Sequence, residues 1–354
     1  MSKERISRLR RRLLRWYDAH RRDLPWRRTA DAYAIWISET MLQQTQVATV
    51  IPYYERFLAA FPTAGALARA PLAKILALWS GLGYYRRAEN LKRAAQIVER
   101  RHCGAIPDDY DDLRALPGIG DYTAGALMSI AFDKPCAAVD GNVRRVLQRL
   151  FSLRDEKEIR ALALALVPKT RAGDFNQSLI ELGATTCLAA APRCDVCPVS
   201  SDCPQRTTQP ALVPRRVAKN ARSKRVVWPL AIVCRGGRVL LRRRSEHGLL
   251  GGLWEFPGDE LKKNQSIENA LRFQLSALAT TIKRKRRIGE LRHAITNRNI
   301  RAPIFLIELT RNEKIVLGRA QWRWLAPEML REYPVSSMTT KALKIFAAHE
   351  KSSV

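Results

Sequence analysis

The sequence predicts a multi-domain protein, an all-α domain followed by a smaller α+β domain. Three observations predict it. From about residue 31 to residue 186, apolar positions recur at helical spacing, punctuated by Pro and Gly, without strand-type alternation. After Val226 the pattern changes to short β-branched runs joined by turn residues. Between the two lies a cysteine-rich loop, Cys187, Cys194, Cys197 and Cys203, with gaps of six, two and five residues, and then a basic stretch bracketed by prolines. At 354 residues the chain is long enough for about two domains, and its 46% hydrophobic content supports buried cores.

The elements follow in order. Ile6, Leu9, Leu13, Leu14 and Tyr17 recur at helical spacing among Arg5, Arg8, Arg10, Arg11, Arg12 and Arg15. The basic start therefore reads as an amphipathic helix rather than a transit peptide. Helix follows helix from Asp31 to Phe132, with Leu91, Ala94, Ala95 and Val98 forming one stripe before Gly104 stops it. Helical periodicity continues through 140–150, 156–167 and 174–186, and the cysteine loop closes the first domain, 1–209. Four thiolates at these intervals can close around one iron–sulfur cube. Zinc is the alternative, although zinc sites favour two close pairs and only Cys194 and Cys197 form one. Residues 210–226 read as a basic linker: Arg215, Arg216, Lys219, Arg222, Lys224 and Arg225 meet no acid between Pro214 and Val226. In the second domain, 227–354, the runs Val226–Cys234 and Val239–Arg243 make a hairpin through Arg235-Gly236-Gly237. A helix near Ile267–Leu278, strands around 286–293 and 303–310, and a last helix near Thr339–His349 complete a small α+β fold.

The 62 Lys and Arg residues against 33 Asp and Glu give a net charge of +29, and a polyanion is the natural partner. No apolar run approaches the roughly 18 residues of a membrane span, and no membrane association is expected. Cys103, Cys136 and Cys234 are scattered and give no disulfide framework, so a reducing cytosol is expected.

Two segments carry chemistry. Leu116-Pro117-Gly118-Ile119-Gly120-Asp121-Tyr122-Thr123-Ala124-Gly125 reads as a helix–hairpin–helix over about 113–132. Gly118 and Gly120 shape its turn, and the free N–H groups of the following helix suit a DNA phosphate. Asp140, in Val139-Asp140-Gly141-Asn142-Val143, reads as a helix N-cap. Glu39 stands between Trp36-Ile37 and Met41-Leu42. A carboxyl in such surroundings resists ionisation and can donate a proton.

The cysteine spacing resembles the cluster loop of the endonuclease III superfamily. The hairpin string followed by Asp140 resembles the helix–hairpin–helix DNA glycosylases. Ser38-Glu39-Thr40-Met41-Leu42-Gln43-Gln44-Thr45-Gln46-Val47, with Leu24-Pro25-Trp26-Arg27 and Gly81-Leu82-Gly83-Tyr84-Tyr85-Arg86, resembles the MutY-type adenine DNA glycosylases over nearly the full chain. Leu249-Leu250-Gly251-Gly252-Leu253-Trp254-Glu255-Phe256-Pro257-Gly258 is similar to their C-terminal MutT-like, or Nudix-like, domain.

This resemblance implies a monofunctional glycosylase that removes adenine mispaired with 8-oxoguanine or guanine from double-stranded DNA, in base excision repair. Glu39 corresponds to the group that protonates adenine N7, and Asp140 to the carboxylate that stabilises charge at C1′. Tyr122 and Asn142 correspond to residues that line the sugar and orient Asp140. Tyr122 stands where Schiff-base members carry lysine, and it cannot form an imine. Arg22, Trp26, Arg27 and Glu181 correspond to the pocket around the extruded base. Gln44 and Tyr84, with Leu42 nearby, correspond to residues that wedge into the stack and offset the cost of base flipping. One 4Fe-4S cluster on Cys187, Cys194, Cys197 and Cys203 is implied, as are a monomer and a bacterial cytosolic location. Other readings are a thymine or oxidised-pyrimidine glycosylase, or a catalytically silent cluster-bearing DNA-binding protein.

Two departures matter. The segment Asn264-Gln265-Ser266-Ile267-Glu268-Asn269-Ala270 has too few carboxylates for the Mg²⁺ site of a Nudix hydrolase, so no nucleotide hydrolysis is expected. The lesion-reading loop is His293-Ala294-Ile295-Thr296-Asn297 where the family has His-x-Phe-Ser-His. Thr296 keeps a hydroxyl for lesion contact, but the changes predict weaker discrimination between 8-oxoguanine and guanine.

Overall fold

The computed structural model describes residues 2–206, 224–245, 248–276, 282–295, 297–309 and 322–352. The chain forms two compact units, Met1–Ala70 with Arg86–Arg216, and Pro71–Tyr85 with Val217–Val354.

The first unit contains α1 (Lys3–His20), α2 (Ala32–Leu42), α3 (Val47–Ala60) and α4 (Ala64–Arg69). The chain returns to this unit with α6 (Arg86–Arg101), after α5 (Leu72–Trp79), which belongs to the second. It continues with α7 (Tyr110–Ala115), α8 (Asp121–Ile130), α9 (Gly141–Phe151), α10 (Glu156–Leu166) and α11 (Ala172–Thr185). Side chains start most of these helices: Ser2, Asp31, Thr63, Asp109, Asp140 and Asp155 accept backbone N–H groups of the first turn. Leu9 and Leu13 of α1 pack with Val146, Leu147 and Leu150 of α9 and Phe175 and Leu179 of α11.

Helix α2 has no polar face: every residue from Tyr33 to Met41 is buried. It is a core helix rather than an amphipathic one. Burying Ile35, Trp36, Ile37 and Met41 contributes about 1.5–3 kcal/mol each, which offsets the cost of burying Glu39 on the same helix. Helix α8 is similarly enclosed and lies hard against the irregular segment before Asp140. A methyl group added at Gly125 would sit 2.0 Å from the Ala137 carbonyl oxygen.

The second unit is a sheet of β1 (Lys224–Val227), β2 (Leu230–Arg235), β3 (Arg238–Arg243), β4 (Trp254–Glu255), β5 (Ile282–Ile295), β6 (Arg298–Leu309) and β7 (Trp322–Leu325). The order is β1-β6-β2-β3-β4, with β5 on β6 and β7 on β3. β1 and β2 both run parallel to β6, whereas β5 and β6 form a long antiparallel hairpin. Helix α13 (Ser337–Lys351) covers one face, over Ile232, Ile300 and Ile304. Helix α12 (Ile267–Leu275) covers part of the other, over Ala231, Phe305 and Ile307. Among the described residues no helix is long and apolar enough to cross a membrane.

Three sequence expectations are corrected. The helical domain was expected to be continuous over 1–209, but 71–85 packs with the second unit, where the Ser80 hydroxyl (2.6 Å) and the Tyr85 hydroxyl (2.9 Å) donate to the Val335 carbonyl. Helical periodicity reports that a face is buried, not which partner buries it. The linker was expected to run to 226, yet Lys224 and Arg225 already pair with Arg298 and Asn299 in the sheet. The run Val226–Cys234 is two strands, because Pro229 has no N–H for a ladder bond. The remainder of the linker lies outside the described residues.

Gly125→Ala should destabilise the protein by about 1–3 kcal/mol or more, since the contact is with backbone that cannot rotate away. Urea unfolding would measure the loss, and an unchanged midpoint would show that α8 can move.

Candidate active site

Glu39 lies in the last turn of α2 and is 6% exposed. The Tyr122 hydroxyl, from the first turn of α8, donates to Glu39 Oε2 at 2.7 Å. Burial pushes the Glu39 carboxyl up to about 7, with the charge of Asp140 adding to the rise and the Tyr122 hydrogen bond and Arg27 opposing it. Burial likewise holds the Tyr122 hydroxyl well above its ordinary value, so it stays a neutral donor.

Asp140 caps α9, its Oδ1 accepting the Val143 N–H at 2.7 Å and its Oδ2 the Asn142 side-chain N–H at 2.9 Å. Burial raises its pKa, and those hydrogen bonds restrain the rise. The two carboxyls thus differ in their hydrogen-bonding: Asp140 has several donors aimed at its charged form, whereas Glu39 is buried with a single phenol donor. Two neighbouring carboxyls in such different environments are suited to different parts in acid–base chemistry.

A second cluster lies around Glu181, which is 0% exposed. Arg22 forks onto it through Nε (2.6 Å) and Nη2 (2.8 Å), and Arg27 Nη2 adds a bond at 2.9 Å. Burial alone would raise the Glu181 carboxyl, but the hydrogen bonds and charges of Arg22 and Arg27 hold it below the usual range. Arg27 lies 5.4 Å from the centre of the Tyr17 ring, and Trp26 meets Tyr54 edge-on. Arg27 also acts electrostatically on Glu39, which links the two clusters.

The hairpin takes the shape its residues require. Gly118 has φ +85°, and a methyl group there would meet Asn90 Cβ at 2.9 Å. Gly120 is the N-cap of α8 and faces open space. Leu42 is half-buried, whereas Gln44 is exposed. Gln44 (φ 59°) in the first unit and Tyr84 (φ 48°) in the second are both left-handed, an arrangement that non-glycine residues hold only when their surroundings impose it. Thr296 lies outside the described residues; beside it, Ile295 packs half-buried against the core under α13 and Asn297 is exposed.

Two arginines escaped the sequence reading. Arg87, on α6, ends α2: its Nη1 donates to the carbonyls of Thr40, Met41 and Gln43 at 2.8, 2.8 and 2.7 Å, and its Nη2 to Thr45 Oγ1 at 3.2 Å. It thereby imposes the path that leads into Gln44. Arg145 donates through Nη2 to Asn142 Oδ1 (2.9 Å) and the Gly183 carbonyl (2.6 Å), and through Nε to the Cys187 carbonyl (2.8 Å). It ties Asn142, and through it Asp140, to the start of the cysteine loop. Neither residue had a signal stronger than a basic residue on a helix.

Cys187, Cys197 and Cys203 pack against the helical core, and Arg149 Nη1 approaches Cys187 Sγ at 3.3 Å. Burial and the neighbouring Cys187, Cys203 and Cys194 push the Cys197 thiol up to about 11, so the four sulfurs sense one another. Among the described residues no three ligand-type side chains converge tightly enough for a single ion. The all-sulfur donor set with basic neighbours fits an iron–sulfur cluster, which Cys187, Cys194, Cys197 and Cys203 would hold.

A helix–hairpin–helix unit with a buried carboxyl beside a second one that caps a helix points to a DNA glycosylase of the base-excision class. Residues 37–169 match the HhH-GPD superfamily of base excision DNA repair proteins, and 229–344 match the NUDIX domain. The rat adenine DNA glycosylase is 34% identical over 98% of this chain and 79% of its own length. The human adenine DNA glycosylase is 34% identical over 96% of this chain and 73% of its own. Among solved structures, a thermostable thymine-DNA glycosylase aligns with a TM-score of 0.55 at 31% identity, over 57% of this chain and 97% of that one. The chain belongs to the adenine DNA glycosylase family, hydrolases of N-glycosyl bonds that act in base excision repair.

The raised Glu39 pKa carries a stability consequence. The folded state holds the Glu39 proton more tightly than the unfolded chain, so its neutral form is favourable below about pH 4.5, and stability is lost as pH rises toward about 7. Glu39→Gln should therefore gain on the order of 1–3 kcal/mol relative to the parent at pH 8, and little at pH 4. Denaturant melts at the two pH values would check this, and an equal gain at both would contradict it.

Proposed function

We propose that the enzyme excises adenine paired with 8-oxoguanine or guanine, with Glu39 delivering a proton to N7 of the extruded base. The observation that carries this reading is the buried Glu39, poised near neutrality, bonded to Tyr122 and sensing Asp140. Adenine leaves poorly as an anion, so a carboxyl still protonated near pH 7 is the group the reaction needs. As the N-glycosyl bond breaks, positive charge builds at C1′. Asp140, held by Val143 and Asn142, can stabilise it or combine with it. Tyr122 offers no amine, so the strand is left uncut at the abasic site. Arg22, Trp26, Arg27 and Glu181 form the base pocket. Gln44, Leu42 and Tyr84 fill the stack, and Gly118 and Gly120 take a phosphate. We infer one 4Fe-4S cluster on Cys187, Cys194, Cys197 and Cys203, which orders the loop beside Arg145 and Arg149 rather than taking part in the reaction. Thr296 is assigned to the lesion-reading hairpin.

Incubation with duplexes carrying A:8-oxoG, A:G, A:C and T:G, followed by alkaline cleavage, should give cuts at adenine and none at thymine. Cutting before alkali, or at thymine, would contradict the reading. Single-turnover rates should differ little between A:8-oxoG and A:G, and a large preference for 8-oxoguanine would refute the weakened discrimination. Glu39→Gln should abolish cleavage and retain duplex binding.

The purified chain should hold about four iron and four acid-labile sulfide per molecule. Zinc without sulfide would overturn the cluster.

A further inference from the structure

We propose that the part of the sheet face left uncovered by α12 is a second DNA-backbone platform, built from Arg225, Arg287, Arg292 and Arg301. It rests on the glycosylase reading, and it is distinct from the hairpin glycines and from the turn at Asn297.

The strand register assembles the platform from residues far apart in sequence. Arg301 of β6 lies between Val227 of β1 and Arg292 of β5, and Asn299 lies between Arg225 and Ala294. Directly paired residues on neighbouring strands share a face. The opposite face carries Val226 and Ile300, which are buried in the core under α13. The arginines therefore point away from that core. On their own face, α12 packs over Phe305 and Ile307, and Lys285 marks its edge by reaching Glu268 at 3.4 Å. Beyond that edge the arginines are exposed: the side chains of Arg301 and Arg287 are 59% and 56% accessible.

Glu290 is the one acidic strand residue of β1, β5 and β6 on this face among the described residues. It receives Arg287 at 2.6 Å and Arg301 at 3.7 Å. Arg292 and Arg301 stand directly opposite each other, and like charges so placed destabilise a sheet. Protection of an edge strand against aggregation would explain basic residues on β5. It does not explain Arg301, since β6 is flanked on both sides, with β1 and β2 along one edge and β5 along the other. A polyanion lying across the three strands neutralises the positive charge that the single carboxylate of Glu290 leaves over, and with a chain of net charge +29 acting on DNA, the DNA phosphate backbone is the partner that fits.

The test is the salt dependence of binding of the full chain to undamaged duplex. For Arg225→Gln/Arg292→Gln/Arg301→Gln, the slope of log affinity against log salt should become shallower by about 2–3, close to 0.9 for each lost phosphate contact. Arg292→Gln alone should lower it by about 1, and should melt no lower than the parent because an opposed charge is removed. The control Lys262→Gln/Lys263→Gln, two exposed lysines outside the three strands, should leave the slope almost unchanged. An unchanged slope in both arginine variants, or an equal drop in the control, would overturn the platform while leaving the glycosylase reading intact. Failure of the parent to cleave adenine would instead sink the functional reading itself.

Discussion

The structure depends on one costly placement, a carboxyl group in the middle of a core helix. Glu39 is enclosed because α2 has no polar face, and an isolated ionised carboxylate there would be strongly unfavourable. The protein accommodates it by keeping it protonated near neutrality and giving it a single neutral donor, Tyr122. A second cation or backbone amide aimed at it would lower its pKa and favour its charged form. The apolar surroundings, which could pass for plain core packing, are therefore what sets its chemistry. Asp140 shows a different balance: burial raises its pKa too, but at a helix N-terminus Val143 and Asn142 donate to its charged form and restrain the rise.

Around this pair the helical unit is arranged for close approach. Gly125 lets α8 reach the segment before Asp140, and Gly183 lets α11 reach Asn142, where a methyl group would stand 2.5 Å from Asn142 Cβ. Arg87 then ends α2 where it does, three turns' worth of core packing being followed at once by the left-handed Gln44. The helix that carries Glu39 and the segment that carries Gln44 thus share one anchor. A buried guanidinium has enough donors to satisfy several carbonyls at once, which an ordinary glycine C-cap does not supply.

Much of this was legible in the sequence, and the remainder failed for identifiable reasons. Glu39, Asp140 and the hairpin glycines were readable because local composition decides their environment: an apolar flank, a cap position, a turn. The strands around 286–293 and 303–310 were placed but cut short, because the basic run Lys283–Arg287 conceals strand alternation in β5. The docking of 71–85 on the second unit and the roles of Arg87 and Arg145 were not readable. Each depends on which distant carbonyls a side chain or a helix meets, and periodicity carries no such information.

The second unit adds a contrast in how carboxylates are used. Glu255, in the stretch that resembles a Nudix domain, is 1% exposed and is gripped by Arg242 and Arg244 at 2.8 Å each. Burial pulls its pKa up, and the two arginines oppose the rise. Glu268 is likewise engaged by Arg272 and Lys285. A divalent cation would have to displace guanidinium and ammonium groups already neutralising these acids; at buried Glu255 breaking an ion pair is strongly unfavourable. Glu255 and Glu268 therefore hold basic side chains in place, whereas Arg225 and Arg292 have no acidic partner among the described residues, and this surplus of positive charge suits the proposed contact with a polyanion.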